Sequence, residues 1–244
     1  AVFADDERSV IASAIALPRF LDAEGGFDLE SFEGAIQTLV RALDGAHGSD
    51  RASPRRPIVV RLEGLSALLV RLGLAYDSDE GRRAAAALAA CAQAVALTET
   101  AALGEDKGAY PEWARAKRTE DAAMKAARDA AIARAGEAGV LQPIAARAAA
   151  LLRALCVGKP RGLRASASIA FALDAGSARR LGMPATGLQP LASVAEYGAR
   201  EDGGFGRVLS EDARAGLTAL GYSKQVADAS ALHVEGRRTL KDAP

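Results

Sequence analysis

The side chains that most often carry chemistry are sparse and scattered in this sequence. Its two histidines, His47 and His233, lie far apart, one in a polar segment and one near the predicted end of a helix. Neither belongs to a Cys/His spacing that could hold zinc, so both are interpreted as surface residues rather than as ligands or bases. The two cysteines, Cys91 and Cys156, lie in Ala/Leu-rich helical patterns, which favours buried free thiols over a redox pair.

Two further clusters could bind a ligand, but each has a simpler interpretation. Three carboxylates crowd together at Asp77, Asp79 and Glu80, and they suit the cap and first turn of a helix better than a metal site. The GGFG segment at 203–206 could wrap a phosphate, but no Lys-Ser/Thr pair follows, and a turn is the better interpretation. No GxSxG, HExxH or complete dinucleotide-binding fingerprint occurs. The residues alone therefore assemble no active site and no metal site.

The segment 61–91 predicts a central helical hairpin around which the other elements pack. Leucines at helical spacing form one apolar stripe in its first half: Leu62, Leu65, Leu68, Leu69 and Leu72. Gly73 follows, where a helix can end in a left-handed conformation. After a turn through Tyr76 and a cap within 77–80, the chain from Gly81 to about Ala102 is rich in alanine. Because alanine is the strongest helix former, this stretch predicts a long, buried helix.

Cap and breaker residues predict the remaining helices. Asp28 caps a helix that ends near Asp44, with Gly45 as its stop and a polar loop over 45–57. Four more helices are predicted at these places: from Thr119 to about Ala135, from about Pro143 to Leu155, from Ser210 to near Leu220, and from Ser223 to just before Gly236.

Few segments have the pattern of a strand. The segment Ser9–Leu17 fits a buried strand or a short helix, and periodicity alone does not separate the two. The small, β-tolerant segment Ala165–Leu173 is predicted as a buried strand. The Gly- and Pro-rich segment Arg179–Gly206 is predicted as a loop with short elements.

Composition bounds the function. The 244 residues include 31 basic and 31 acidic side chains, so no basic face favours a nucleic-acid partner. No run of about 18 uninterrupted apolar residues occurs, and no charged leader precedes a short apolar stretch. We therefore expect no membrane association and a cytoplasmic location. Half of the residues are apolar but few are aromatic, which predicts a core of Ala, Leu and Val.

Five islands of this sequence, in order over nearly the whole chain, carry the pattern of one family. The most specific is LGLAYDSDEGR at Leu72–Arg82. The others are Phe3–Asp22, Phe27–Phe32, Thr186–Pro190, and Leu220–Tyr222 followed by Gly236–Pro244. Together they resemble the adenosylcobalamin-dependent (class II) ribonucleotide reductases, in the C-terminal part of the catalytic barrel.

The same resemblance implies where this sequence departs from the family. The family's radical cysteine lies on a loop that would precede Ala1. Its partner cysteine falls at about Ser9, and a serine cannot form the disulfide. The family's substrate-phosphate loop, Pro-Thr-Gly-Thr-Ile-Gly, falls at Leu173–Ala178, where Asp174 would face the phosphate with like charge. The acidic residue of the family's Thr-Gly-Ile-Glu-Pro becomes Gln189.

These departures predict a catalytically inactive reductase-like domain that is retained for binding or interaction. The alternative is part of a working adenosylcobalamin-dependent reductase that another chain completes, and Ser9 argues against it. A plain structural or interaction module is the third reading. No catalytic residue and no cofactor is expected, and adenosylcobalamin would be needed only if the family activity were retained.

A residual anion or nucleotide site is expected between the strand at Ala165–Leu173 and the loop at Thr186–Pro190. Its candidate residues are Asp174, Gly176, Ser177, Arg179, Arg180, Thr186, Gly187 and Gln189. Arg179 and Arg180 could hold the anion, although a solvated surface pair is the simpler reading of them.

The resemblance implies the second half of a ten-stranded α/β barrel. Half a barrel would leave open sheet edges, and the Ala-rich sequence has few strand-like runs. We therefore expect a mainly α fold with a few β-strands, of α/β or α+β class, in one domain over residues 1–244. A helical bundle is expected over about 28–157, and a region of strand, loop and helices over about 158–244. An exposed face would favour a homodimer or a protein partner.

Overall fold

The computed structural model describes residues 10–48, 53–137, 139–199 and 203–237. In these ranges the strands are β1 (Ile11–Ala16), β2 (Ile58–Glu63), β3 (Ala167–Ala170), β4 (Ala195–Ala199) and β5 (Phe205–Leu209). The helices are α1 (Leu29–His47), α2 (Leu65–Arg71), α3 (Asp79–Lys107), α4 (Trp113–Ala135), α5 (Gln142–Gly158), α6 (Ala175–Arg180), α7 (Glu211–Ala219) and α8 (Lys224–Arg237). The predicted mainly α fold with a few strands is confirmed.

The chain divides into two compact units, each built from three segments. The first unit comprises Ala1–Ile15, Phe27–Leu62 and Arg83–Ala172. The second unit comprises Ala16–Gly26, Glu63–Arg82 and Leu173–Pro244. Residues 63–82 therefore group with the C-terminal segment rather than with the helices that flank them in sequence. The single-domain organisation stays a prediction.

The first unit contains a three-stranded sheet in the order β1-β2-β3. Strands β2 and β3 are parallel, with Ile58 opposite Ala167 and Val60 opposite Ile169. Because β2 is the apolar run IVVRLE and is almost wholly buried, it has the composition of an inner strand. A strand forms within Ser9–Leu17 and within Ala165–Leu173, as predicted. The predicted burial is wrong for β3, whose four residues are all half-buried, and holds in β1 only for Ile15 and Ala16.

Helix α3 is the buried Ala-rich helix that the sequence predicts. Six of its residues are fully buried: Leu88, Cys91, Ala92, Ala94, Ala96 and Thr100. The helix continues to Lys107 instead of ending near Ala102. Gly104 does not end the helix but lies inside it, where its missing side chain lets the backbone of Gly162 approach closely. A Cβ at Gly104 would lie 2.3 Å from the carbonyl oxygen of Gly162. Both cysteines are free, but only Cys91 is buried, and the predicted burial of Cys156 is wrong because its side chain is partly exposed. Burial raises the pKa of the Cys91 thiol to about 12.

Helix α3 is also long and apolar enough to cross a membrane, the only such helix within the described ranges. Of its most apolar 18-residue stretch, 61% is buried inside the protein. Core helices have the same length and composition, so this helix is weak evidence for a membrane span.

Three further predictions in the first unit are wrong. Helix α1 passes Gly45 and ends at His47, which is buried, with its Nε2 atom 3.0 Å from the carbonyl oxygen of Pro57. His47 is therefore not a surface residue. Helix α4 begins at Trp113 rather than Thr119, because the Trp113 ring packs edge-on against Tyr110 at 5.6 Å and is buried there.

The second unit packs short helices against a hairpin. Strands β4 and β5 pair antiparallel within Arg179–Gly206 and just beyond it, where mostly loop was predicted. Helix α8 packs on β5, and α2 packs on α7 and on a 3-10 helix at Leu17–Phe20. Gly216 of α7 allows the close approach to α2, because a Cβ there would lie 2.5 Å from the Val70 carbonyl oxygen.

The predicted helical hairpin needs one correction at its start. Leu62 lies in β2, because the β-branched run before it pairs with β3, and Gly64 at φ +77° separates this strand from α2. Two of its details are confirmed: Gly73 is left-handed at φ +70°, and Ser78 caps α3 by accepting the N–H of Gly81 at 2.9 Å. Helix α2 and most of α3 fall in different compact units, so their arrangement as a central hairpin stays a prediction.

Candidate functional site

The start of α6 coincides with the segment that resembles the family's substrate-phosphate loop. Asp174 is the N-cap of this six-residue helix. Its Oδ1 atom accepts the backbone N–H groups of Gly176 at 3.0 Å and Ser177 at 3.1 Å, and its Oδ2 atom accepts the Ser177 hydroxyl at 2.7 Å. The donors of this turn are therefore satisfied by a carboxylate of the same chain.

The loop of Thr186 and Gly187 adjoins this cap. The buried Thr186 accepts the backbone N–H of Asp174 through Oγ1 at 2.9 Å. Gly187, which is left-handed at φ +55°, donates its N–H to Oε2 of Glu63 at 3.0 Å. Hydrogen bonds thus join Asp174, Ser177, Thr186 and Gly187 into one polar cluster within the second unit.

Glu63 is a member of this cluster that the sequence analysis missed. Its side chain is fully buried, and its Oε1 atom has no hydrogen-bond partner. A carboxylate at the end of the mostly apolar strand IVVRLE was the available signal. Burying a carboxylate without full hydrogen bonding is costly, and the bond from Gly187 offsets part of that cost. The same bond links the Thr186–Gly187 loop to the end of β2, where Glu63 lies.

The remaining predicted site residues lie at the edge of the cluster. Arg180 donates from Nη2 to the Ser177 hydroxyl at 3.2 Å, whereas Arg179 is exposed. The Gln189 side chain is exposed, and its backbone N–H closes a turn onto the Thr186 carbonyl at 3.0 Å. The Tyr76 hydroxyl donates to the Leu188 carbonyl and so fixes the loop from the other side.

Two predictions about this site are not decided by these contacts. Ser9, at the position of the family's redox cysteine, lies outside the described residues. Strand β3 belongs to the first unit and the loop Thr186–Pro190 to the second, so a pocket between them stays a prediction.

The described residues do not form a metal centre. No group of three or more His, Cys, Asp and Glu side chains in these ranges could hold a metal ion. Asp79 instead pairs with Arg82 at 2.5 Å in the first turn of α3, which agrees with the cap interpretation of 77–80.

The barrel domain of ribonucleotide reductases is the family whose model matches this chain, over residues 11–242. A vitamin B12-dependent ribonucleotide reductase of Rhodopirellula baltica is 25% identical over 252 residues, covering 100% of this chain and 24% of that protein. The same enzyme of Streptomyces avermitilis is 24% identical, covering 98% of this chain and 26% of that protein.

A shorter match is closer in sequence. A vitamin B12-dependent ribonucleoside-diphosphate reductase of Mycobacterium tuberculosis is 35% identical over 107 residues, covering 40% of this chain and 15% of that protein. The chain thus spans about a quarter of the length of the relatives that it matches from end to end.

Proposed function

This chain belongs to the ribonucleotide reductase barrel-domain family, and we propose that it does not itself reduce ribonucleotides but serves as a binding or interaction domain. The proposal concerns this chain and not its relatives. Those relatives are reductases about four times as long as this chain. A protein partner or a second copy of the chain is the expected occupant, in the cytoplasm, with no nucleic acid and no membrane involved.

The Asp174 cap is the main observation that supports the proposed loss of activity. In the segment that resembles the phosphate loop, the Asp174 carboxylate accepts two backbone N–H groups and one hydroxyl. A phosphate would need these donors, since helix N-termini bind anions through free N–H groups. The phosphate would have to displace a tethered carboxylate and would meet its negative charge. Substrate binding at this segment is therefore disfavoured both by the occupied hydrogen-bond donors and by the repulsion between like charges.

Ser9 supports the same proposal from the sequence. By resemblance it stands where the family has a cysteine of the pair that delivers two electrons. A serine hydroxyl cannot form a disulfide and cannot supply those electrons. We accordingly expect no use of adenosylcobalamin by this chain, and the proposal involves no chemistry at a metal or a corrin.

Exposed apolar side chains support the interaction role. Nine large apolar residues are at least half exposed in the described ranges, and seven of them belong to the second unit. These seven are Leu173, Leu188, Tyr197, Phe205, Leu220, Tyr222 and Leu232. Two of them, Tyr197 and Phe205, lie side by side with their ring centroids 5.8 Å apart, and contiguous exposed apolar surface is typical of a surface that contacts another molecule.

A turnover assay tests the proposal. The purified chain is incubated with adenosylcobalamin, a dithiol and each ribonucleoside di- and triphosphate, and deoxyribonucleotide is measured by chromatography. A vitamin B12-dependent reductase assayed in parallel shows that the conditions support turnover. We expect no product above the protein-free reaction. Deoxyribonucleotide formed in proportion to the chain's concentration would overturn the proposal.

A further inference from the structure

A cleft in the second unit has no role in the proposal above. Its volume is about 380 Å³, within the range of pockets that hold ligands. All of its lining residues belong to the second unit. One part of the lining is apolar and includes Pro18, Ala67, Met183 and Leu191.

The polar part of the lining is mainly acidic. Glu196, Glu211 and Asp212 contribute three carboxylates, against the single guanidinium of Arg71. The partial positive charge at the N-terminus of α7 offsets about half of one further negative charge. The net charge of the cleft lining is still negative. Glu196 and Glu211 are exposed and therefore accessible to a ligand.

Asp212 is the buried member of this group. Only 9% of the residue is exposed, and its Oδ1 atom accepts Nε of Arg71 at 2.6 Å. Its Oδ2 atom has no hydrogen-bond partner among the described residues, although Asp212 lines the cleft. Because Asp212 also lines the cleft, this second carboxylate oxygen can accept a hydrogen bond from a ligand there.

Strand β4 extends the cleft along a hydrogen-bonding edge. β4 supplies Ala195 and Glu196 to the lining and pairs only with β5 among the described residues. No strand among the described residues pairs with its other edge. The N–H of Ala195 is bonded to the Ser193 hydroxyl at 3.0 Å, so an added strand would pair with the part of β4 beyond Ala195. A peptide that pairs with this edge projects alternate side chains to one side, which favours a peptide over a small amine.

We propose that this cleft binds a basic, extended segment of a partner protein. An arginine or lysine of that segment places its cation at Glu196 and Glu211 and against Oδ2 of Asp212. Its apolar stem lies on the apolar lining, and its backbone pairs with β4. The inference rests on the proposed interaction role and names the chemistry of its partner.

The test uses the full chain and a fluorescein-labelled hexapeptide of alternating leucine and arginine. Fluorescence anisotropy measures its affinity beside that of the same peptide with glutamate in place of arginine. We expect the basic peptide to bind and the acidic one not to bind. Glu196→Gln and Glu211→Gln should each weaken binding roughly fivefold, the effect of one partly exposed ion pair, and the double variant about 20-fold.

Glu24→Gln is the matched control, because Glu24 is an exposed acid of the same unit outside the cleft. It should leave the affinity unchanged, and circular dichroism confirms that each variant is folded. The inference is overturned if the basic peptide does not bind, if both peptides bind equally, or if the double variant binds as wild type does. It is also overturned if free spermidine binds as tightly as the peptide.

The two proposals fail in different ways. Absence of peptide binding leaves a negative turnover result standing and removes only the cleft's assignment. Ribonucleotide turnover overturns the proposed function, whatever the peptide does.

Discussion

Two aspartates, one in each unit, show how differently this chain uses a carboxylate. Asp44 in the first unit is buried and is reached by three cations: Arg56 Nη2 at 2.6 Å, Arg164 Nε at 3.1 Å and Lys107 Nζ at 3.3 Å. Asp174 in the second unit is half-buried and mainly satisfies the donors of its own turn. Asp44 thus joins segments distant in sequence, whereas Asp174 closes a local turn.

The difference has a physical reason. Arg56 also donates to the backbone carbonyls of Asp44 and Gly48, at 2.8 and 2.9 Å, and so caps the C-terminus of α1. Helix C-termini attract cations, so the surplus positive charge around Asp44 has partners. The short helix α6 has only its N-terminal donors to offer, and Asp174 accepts two of them. The first arrangement stabilises the fold, and the second occupies the donors that, in our proposal, a phosphate would need.

The largest expected effect is on Asp44. Asp44→Asn keeps the shape of the side chain but leaves three cations around a neutral group. Breaking a buried ion pair in this way should lower the free energy of unfolding by about 3–5 kcal/mol, measured by urea denaturation. Asp129→Asn, in an exposed pair with Arg128, should change it by less than about 1 kcal/mol. Equal effects of the two substitutions would contradict the contrast.

The same network predicts a pH dependence. Burial raises the pKa of Asp44, but the bonds from Arg56 and Lys107 and the charge of Arg164 outweigh it and hold the pKa below the ordinary 3.8. A depressed folded-state pKa adds stability that is complete above the unfolded-state pKa and is lost as the pH falls through the folded-state value. The stability difference between wild type and Asp44→Asn should therefore be constant above about pH 5 and shrink below pH 3.8. A difference that grows on acidification would contradict this account.

A smaller effect is expected where α7 approaches α2 in the second unit. Gly216→Ala would place a Cβ 2.5 Å from the Val70 carbonyl oxygen, so it should cost about 1–3 kcal/mol of unfolding free energy in urea titration. Gly34→Ala is the matched control, because nothing lies within 4 Å of its added Cβ in α1. It should stabilise by about 0.5–1 kcal/mol. Stabilisation by both alanines would show that α7 does not need the glycine.

The smallest effect on stability is expected at Asp174. Asp174→Ala removes the N-cap of α6 and should cost about 1 kcal/mol, whereas Asp174→Asn retains an acceptor and should cost only a few tenths. Urea denaturation measures both. A loss at Asp174 as large as that at Asp44 would remove the distinction between the two aspartates.

Local signals predicted the parts of the fold that local chemistry decides. Asp28 and Ser210 cap α1 and α7 as the sequence indicates, with bonds to the backbone N–H groups of Ser31 at 2.9 Å and Ala213 at 3.2 Å. Such caps depend on neighbours three residues away, which a sequence displays directly.

The residues that the sequence misjudged depend on distant partners. The buried His47 ring is hydrogen-bonded to the Pro57 carbonyl oxygen. The Glu63 carboxylate accepts the N–H of Gly187, which is 124 residues further along the chain. Leu62 fits a helical stripe but pairs as a strand, because tertiary context overrides periodicity. At the candidate site, the resemblance indicated the loop around Asp174, but only the structure shows that its carboxylate accepts the loop's own donors.

Nucleotide binding is the measurement that tests the central claim most directly. Isothermal titration calorimetry with ribonucleoside di- and triphosphates is run on wild type and on Asp174→Thr, which restores the residue of the family's phosphate loop. The account predicts no binding heat for wild type and measurable phosphate-dependent binding for Asp174→Thr. Tight nucleotide binding by wild type would contradict it, because the Asp174 carboxylate could not then be excluding phosphate.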